Sequence, residues 1–370
     1  MGKVTFNNQN DLFYKSVKKA VDQYFVSNNL KKTGNWALFS KVVILFPMAI
    51  AVYLFLLFGS YSNLQGIGIS IFFGIVLSAI AFNVMHDACH GSFSSRKWVN
   101  ETMGLTMNAL GSVAYFWKIK HNILHHTYTN VDGIDEDIAK NPLLRMCPTQ
   151  KWYAPHKFQF LYVFLLYPIT TFAWLMIFDF VRYFSYKGNA YANSKIPFKE
   201  RVIFWVTKIL YILFYLVIPV ICVGWQAALA GFMIMHFVMG FILAIVFMLA
   251  HVVEKTSFEI AGEESKMLES QWAVHQVMTT ANFAPTNKVV NWFVGGLNFQ
   301  VEHHLFPRIS HIHYPQISKI VQEQCEMFNL PYHSYPSMTQ AVISHFRLMK
   351  NLGRKEFPDD VIYSTTALPA

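Results

Sequence analysis

Residues 66–90 read G-I-G-I-S-I-F-F-G-I-V-L-S-A-I-A-F-N-V-M-H-D-A-C-H. The first part, Gly66–Met85, carries no charge, and as a helix of about 30 Å it matches the ~30 Å hydrocarbon core of a bilayer. The last five residues put His86 and His90 at i and i+4, on one face of a helix, where the apolar run ends. Ionisable side chains at the edge of a membrane are costly, so the pair is a functional candidate.

The rest of the chain agrees with a membrane reading. Of its 370 residues 54% are hydrophobic and 14% charged, whereas a soluble domain averages about 25% charged. Val42–Gly59 is a span before the first stretch, joined to it by S-Y-S-N-L-Q. Gly104–Trp117 is apolar but too short to cross and reads as a buried or interfacial helix. Phe158–Val181, Val202–Val223 and Trp225–Ala250 are three further candidates. Histidine clusters at 121–126 and 303–304 share a membrane face only if an even number of crossings separates them. One candidate therefore does not cross. Pro168, Thr170, Thr171 and Asp179 mark 158–181 as that one, interfacial or re-entrant. The expected fold is an all-α integral membrane protein with about four transmembrane helices (42–59, 66–85, 202–223 and 225–250), interfacial helices and a cytoplasmic helical cap.

Residues 1–41 form a basic segment, with Lys15, Lys18, Lys19, Lys31, Lys32 and Lys41 set against Asp11 and Asp22. No cleavable apolar leader appears there, and the positive-inside rule places the segment in the cytoplasm. Lys187, Lys195, Lys199 and Arg201 place the loop before 202–223 on the same side. The net charge of +9 is thus read as topology; no basic stripe with interleaved aromatics suggests nucleic acid. Cys89, Cys147, Cys222 and Cys325 form no paired spacing and read as isolated thiols. In the C-terminal part, 331–370, Ser337 and Gln340 predict the start of a closing helix that stops near Gly353.

Fifteen histidines are present, and most of the informative ones lie in sets. His121 and His125 share a helical face in H-N-I-L-H-H, with His126 turned about 100° away. In Q-V-E-H-H, Gln300, His303 and His304 fall at i, i+3 and i+4. His251 stands at the cytoplasmic end of the last span. A lone histidine is more often a satisfied core side chain, and His236, His156, His275, His311, His313, His333 and His345 are left in that class. Neutral imidazole suits iron, copper, zinc and nickel, and the clustered histidines are too many for one ion and about right for two. Zinc is redox-inert. A dinuclear centre at the mouth of a lipid-embedded bundle favours iron and O₂ chemistry, although a dinuclear hydrolytic zinc site would use similar imidazoles.

H-D-A-C-H, H-N-I-L-H-H-T-Y-T-N and F-Q-V-E-H-H-L-F-P resemble the three histidine boxes of the membrane fatty-acid desaturases. Gln300, where the third box usually begins with histidine, resembles the front-end branch that includes the linoleoyl-CoA and acyl-lipid enzymes. The resemblance implies a desaturase domain over 42–330. It implies two iron ions held by His86, His90, His121, His125, His126, His251, His303 and His304, with Gln300 as a ninth ligand or a partner to one. No catalytic residue beyond the metal ligands is implied. The acidic run V-D-G-I-D-E-D at 131–137 reads equally as a solvated loop or as carboxylates behind the ligands.

The implied reaction is O₂-dependent insertion of a cis double bond into a fatty acyl-CoA or acyl-lipid, the chain lying in an apolar tunnel within the membrane. No H-P-G-G haem motif occurs in the sequence. Electrons are therefore expected from a separate carrier, ferredoxin or free cytochrome b5 with its reductase, reached at the cytoplasmic face. A di-iron hydroxylase of alkyl or acyl chains is the alternative. A metal carrier or channel is disfavoured, because only His236, Lys208 and a few hydroxyls lie at depth.

Overall fold

The computed structural model describes residues 4–7, 11–139, 141–186, 195–260, 267–268 and 270–356. Lys187 of the basic loop and the tail after 356 lie outside the described residues. Five helices among those described are long and apolar enough to cross a membrane: α1 Trp36–Phe58, α2 Asn63–His90, α3 Ala154–Ser185, α4 Phe198–Val223 and α5 Trp225–His251.

Local chemistry sets their ends. Asn35 Oδ1 accepts the Ala37 N–H at 2.8 Å and opens α1. Ser62 and Gln65 form a reciprocal capping box at the start of α2. The chain reverses between α4 and α5 at Gly224, whose φ of 82° with ψ of 157° is a region essentially confined to glycine.

The share of the apolar stretch buried inside the molecule is 67% in α2 and 56% in α5, against 17% in α1 and 11% in α4. The first two therefore make the core, around Phe82, Met239, Leu243 and Leu249. The other two turn Ile50, Phe58, Ile209 and Ile221 outward, as a lipid-facing helix does. His90 ends α2 and His251 ends α5, so the core pair terminates at one pole.

By length and composition α3 is a fifth candidate span beside the four expected. It is irregular, with a 3₁₀ turn at Tyr167–Ile169 around Pro168 and a π-turn at Trp174–Phe178. Both of its ends meet the histidine pole. Gln159 donates to Arg145 O and Met349 O, each at 3.0 Å, while Arg182 pairs with Glu136, just after the second histidine box.

Beyond the long helices the chain folds into a cap. Leu12–Ser27 is an amphipathic helix whose Phe13, Val17, Val21 and Phe25 pack on Ile317, Val321 and Cys325 of Tyr314–Met327. The lysine count concealed this i, i+4 stripe. Three two-residue parallel pairings hold remote loops together: Thr5–Phe6 with Met267–Leu268, Val131–Asp132 with Glu259–Ile260, and Asn282–Phe283 with Ser334–Tyr335. The closing helix is Met338–Leu352, capped by Ser337 and followed by Gly353, as Ser337 and Gln340 predicted. The four cysteines are free thiols.

Candidate metal centre

The first histidine pair rides on an interruption. α2 passes through a π-turn at Ala81–Met85 before the His86–His90 turn. Asn83 stabilises it: its amide donates to Ala79 O and Phe293 O, both at 2.9 Å, and its Oδ1 accepts from Lys41 Nζ at 2.6 Å. Left-handed Gly91 (φ 75°) then ends the helix. The 293–299 turn fits against this π-turn because Gly295 (φ 56°) has no Cβ, which would stand 2.5 Å from Phe82 O. The Gly295-Gly296 pair is a turn, both residues having positive φ.

The second set is also on a π-helix, Ile119–His125. Ordinary helical spacing turns His126 away from His121. The wider π-turn brings them together instead, Nε2 to Nε2 at 3.2 Å. Trp117 stacks on His121 with ring centres 4.2 Å apart. The third set sits on the short helix Gln300–Leu305. Asn282 tethers it, accepting the Val301 N–H at 3.0 Å and donating to Glu302 at 2.8 Å. Burial pushes the Glu302 carboxyl up to about 7, even against its bonds from Tyr332 and Asn282.

The eight histidines converge from α2, α5 and two short helical segments outside the long helices. One group is His86, His90, His121 and His303; a second is His125, His251 and His304; His126 joins His303 and His304 between them. Within each group one nitrogen per residue lies within 4.8 Å of the others. All eight side chains are buried. Gln300 is buried on the third box helix and donates its amide to Leu297 O at 2.8 Å, leaving Oε1 as its one potential donor atom to a metal.

Four ring nitrogens facing away from the centre are held by partners: those of His125, His251, His303 and His304. His125 Nδ1 lies 3.1 Å from Asp135 and 3.3 Å from Asp137. His304 Nδ1 meets Gln276 Oε1 at 2.8 Å, His303 Nδ1 meets Tyr314 OH at 3.1 Å, and His251 Nδ1 meets Thr279 O at 3.2 Å. The inward Nε2 atoms of His86, His90, His125, His251, His303 and His304 are buried without a hydrogen-bond partner. So is Nδ1 of His126. Buried polar nitrogens are rarely left so, and a convergent set of imidazole lone pairs, four of them oriented from behind, fits metal ions.

Electrostatics agree. Burial, and then the neighbouring imidazoles, hold His121, His126, His303 and His304 well below the ordinary histidine range, in the neutral form that ligates. Burial also lowers His125, but Asp135, by charge and hydrogen bond, together with Asp137 outweighs it, and the net shift is upward. Thus two carboxylates of the 131–137 run stand behind a histidine. His275 pairs with Glu259 at 3.1 Å and packs on Phe6, outside the cluster. Sequence reasoning missed Asp87, which accepts from Ser310 Oγ at 2.7 Å and lies 3.1 Å from His311 Nδ1. It also missed Lys41, buried within reach of Asn83 and, at 3.0 Å, of His311 Nε2.

Two cavities adjoin the cluster. A narrow slot of about 20 Å³ runs below His86, among Met85, Met107, Trp117, Thr171, Met239 and Leu243. Beside His90 a polar basin of about 740 Å³ opens, lined by Lys97, Glu101, Lys118, Asn122 and Arg308.

Residues 62–336 match the fatty acid desaturase family. Among similar proteins, the sn-1 linoleoyl-lipid 6-desaturase of Arthrospira platensis is 35% identical over 362 residues, covering 95% of each chain. The enzyme of the same name from Synechocystis sp. is 34% identical over 92% of this chain and 96% of its own. The acyl-lipid (8-3)-desaturase of Physcomitrium patens is 32% identical over 94% of this chain and 73% of its own. The matched segment contains all three histidine sets and four of the five apolar helices, and the chain therefore belongs to the fatty acid desaturase family, as a multi-pass membrane oxidoreductase.

Proposed function

We propose that this desaturase acts on an acyl chain still esterified to a membrane lipid, introducing a cis double bond near the carboxyl end with O₂ as co-substrate. The names of its relatives support a linoleoyl-type chain on a lipid in preference to a CoA ester. The observation that carries the site assignment is the set of inward, unpartnered imidazole nitrogens. His86, His90, His121 and His303 would hold one iron, and His125, His251 and His304 the other. His126 would stand between them, and Gln300 Oε1 is the ninth candidate donor. When bound, the iron pair supplies O₂ activation and the oxidising power that an unactivated C–H bond demands.

The chain's own residues orient and exclude. Asp135, Gln276, Tyr314 and Thr279 O hold the outer Nδ1 atoms of four histidines, which fixes the ring planes and directs each Nε2 inward. The slot under His86 is lined mainly by apolar side chains, and three of its walls are methionines, which repack easily around an entering chain. The basin beside His90, with three cations to one carboxylate, suits a polar headgroup.

The topology we propose has four crossings, with α3 half-embedded. Contacts from both ends of α3 to the histidine pole support this. By the positive-inside rule that pole is cytoplasmic. A separate acidic electron carrier, ferredoxin or cytochrome b5, would be drawn there by the net charge of +9, less strongly as salt rises.

Expression in a host of defined lipids, with double-bond localisation, tests the reading. Lipid-esterified chains should lose two hydrogens; a gain of oxygen would mark the hydroxylase instead. His125→Ala and His304→Ala should each abolish product and lower bound iron while membrane insertion persists. Full activity in either variant overturns the ligand assignment.

A further inference from the structure

Between the ligands His86 and His90 lies Asp87, whose carboxylate belongs to a separate buried knot. Asp87 Oδ2 accepts from Ser310 Oγ at 2.7 Å and from the His311 backbone N–H at 3.3 Å. It also lies 3.1 Å from His311 Nδ1. On the far side of the same ring, His311 Nε2 is 3.0 Å from Lys41 Nζ. A carboxylate can only accept, so the ring carries its proton on Nδ1, and Nε2 is left to accept from the ammonium. Lys41 gives its other hydrogens to Asn83 Oδ1 at 2.6 Å and Trp292 O at 3.3 Å. Lys41, Asp87 and His311 are all buried. In the string ammonium–imidazole–carboxylate the charges cancel, which is what allows them to stay there.

The knot joins segments that the metal centre needs in register. Asp87 stands in the first-box turn and Asn83 in the π-turn before it. Ser310 and His311 follow the third-box helix by a few residues, and Lys41 comes from α1. Close packing accompanies the bonds. A Cβ on Gly296 would stand 2.7 Å from His311 Cβ, as one on Gly295 would stand 2.5 Å from Phe82 O. The 293–299 turn thus fits against His311 and the π-turn at once.

The consequence falls on one half of the centre. His86 and His90 meet His303 with ring centres 4.5 and 4.9 Å apart, and with His121 they form the first ligand group. Their meeting depends on how the first-box turn sits against the third-box segment. Asp87 bonds directly from one to the other, across 223 positions of sequence. The second group, His125, His251 and His304, is held elsewhere, by Asp135, Thr279 O and Gln276.

We propose, on the ligand assignment above, that Asp87 and His311 are positioning residues for the first of the two ions. Anchored by Lys41, they hold His86 and His90 at the distance from His303 at which one ion can be shared. Without the knot the first-box turn is free to shift against the third-box segment while the second group keeps its own supports.

The test is anaerobic titration of the full-length protein in detergent with ferrous iron, beside the thermal midpoint of the metal-free protein. His125→Ala should keep only the first site, and His86→Ala only the second. Added to His125→Ala, His311→Leu should weaken the remaining iron roughly tenfold; added to His86→Ala, it should change nothing. His311→Gln, whose amide can still donate to Asp87 and accept from Lys41, should recover most of the lost affinity. A merely structural role would weaken both sites alike and lower the metal-free midpoint with them. Equal weakening in the two backgrounds, or none in either, overturns the proposal. Should His311→Leu fail to fold, Ser310→Ala, which removes a single hydrogen bond to Asp87, decides by the same comparison. If His86→Ala or His125→Ala alone still binds two irons as wild type does, the ligand assignment itself has failed, and the proposal falls with it.

Discussion

Asp135→Asn isolates the contribution of a side chain that touches no metal. Asp135 is buried, with 1% of its surface exposed. Its carboxylate lies 3.1 and 3.2 Å from His125 Nδ1 and also accepts the backbone N–H groups of Asn130 and Asp137 at 2.9 and 3.0 Å. Asparagine is isosteric and can keep one carbonyl oxygen on the imidazole, so shape is preserved and charge is lost. A hydrogen bond to a charged group contributes about 1.5–3 kcal/mol and a neutral one about 0.5–1.5. The difference, roughly 1–1.5 kcal/mol, corresponds to about tenfold in metal affinity, at the low end of what such supporting partners usually contribute. The assay is iron titration of the detergent-purified protein, with Asp132→Asn as the control. Asp132 lies in the same acidic run but bonds Thr149 and Gln150. Asp135→Asn should bind iron about tenfold more weakly while the control matches wild type. Equal affinities in a folded Asp135→Asn would refute the idea that this carboxylate orients His125 and strengthens it as a ligand.

Other outcomes follow from the same geometry. Asn83→Leu removes the side chain tying Lys41 to Phe293 O, leaving a buried ammonium and a carbonyl less satisfied; it should lower stability by about 1–3 kcal/mol, read as a thermal midpoint in detergent. Gly224→Ala places a Cβ on a backbone conformation that resists it and should cost about 1–3 kcal/mol, by the same measurement. His345, neutral between Tyr167 OH at 2.7 Å and Val252 O at 2.6 Å, is lowered by burial to about 4. The unfolded chain therefore binds a proton there at a higher pH than the folded one. Its contribution is intact above the ordinary histidine range of about 6.5 and is lost as pH falls toward 4, by roughly 3 kcal/mol in all. His345→Gln should flatten that part of the stability–pH curve, and an unchanged slope would count against it.

What could be read from the sequence follows from which interactions are local. The apolar runs, the Ser337 cap and the three histidine sets all depend on residues within a few positions of one another. What escaped depends on distant partners or on irregular turns. Spacing at 3.6 residues per turn sends His126 away from His121, and only the π-turn at 119–125 returns it. The carboxylates at 135 and 137 read equally as a solvated loop or as support for the ligands, and it takes the pairing of Val131–Asp132 with Glu259–Ile260 to set them behind His125. Lys41 counts in the sequence as one more basic residue of the N-terminal segment, yet it lies inside the fold, bonded to Asn83. His236 and Lys208 are unremarkable singly, because their partners come from 171, 179 and 211.

The docking of Leu12–Ser27 on Tyr314–Met327 also bears on how the protein is made. Ser16 Oγ bonds Gln324 Oε1 across 308 positions of sequence. At about 5–20 residues per second, the ribosome needs roughly 15–60 s between making the two. For most of that interval Phe13, Val17, Val21 and Phe25 await their partners, the earliest of which lie at 273–277, and the nascent helix has the makings of a transient membrane-surface anchor. Assembly of the cap is thereby tied to the end of translation, after the membrane helices are in place.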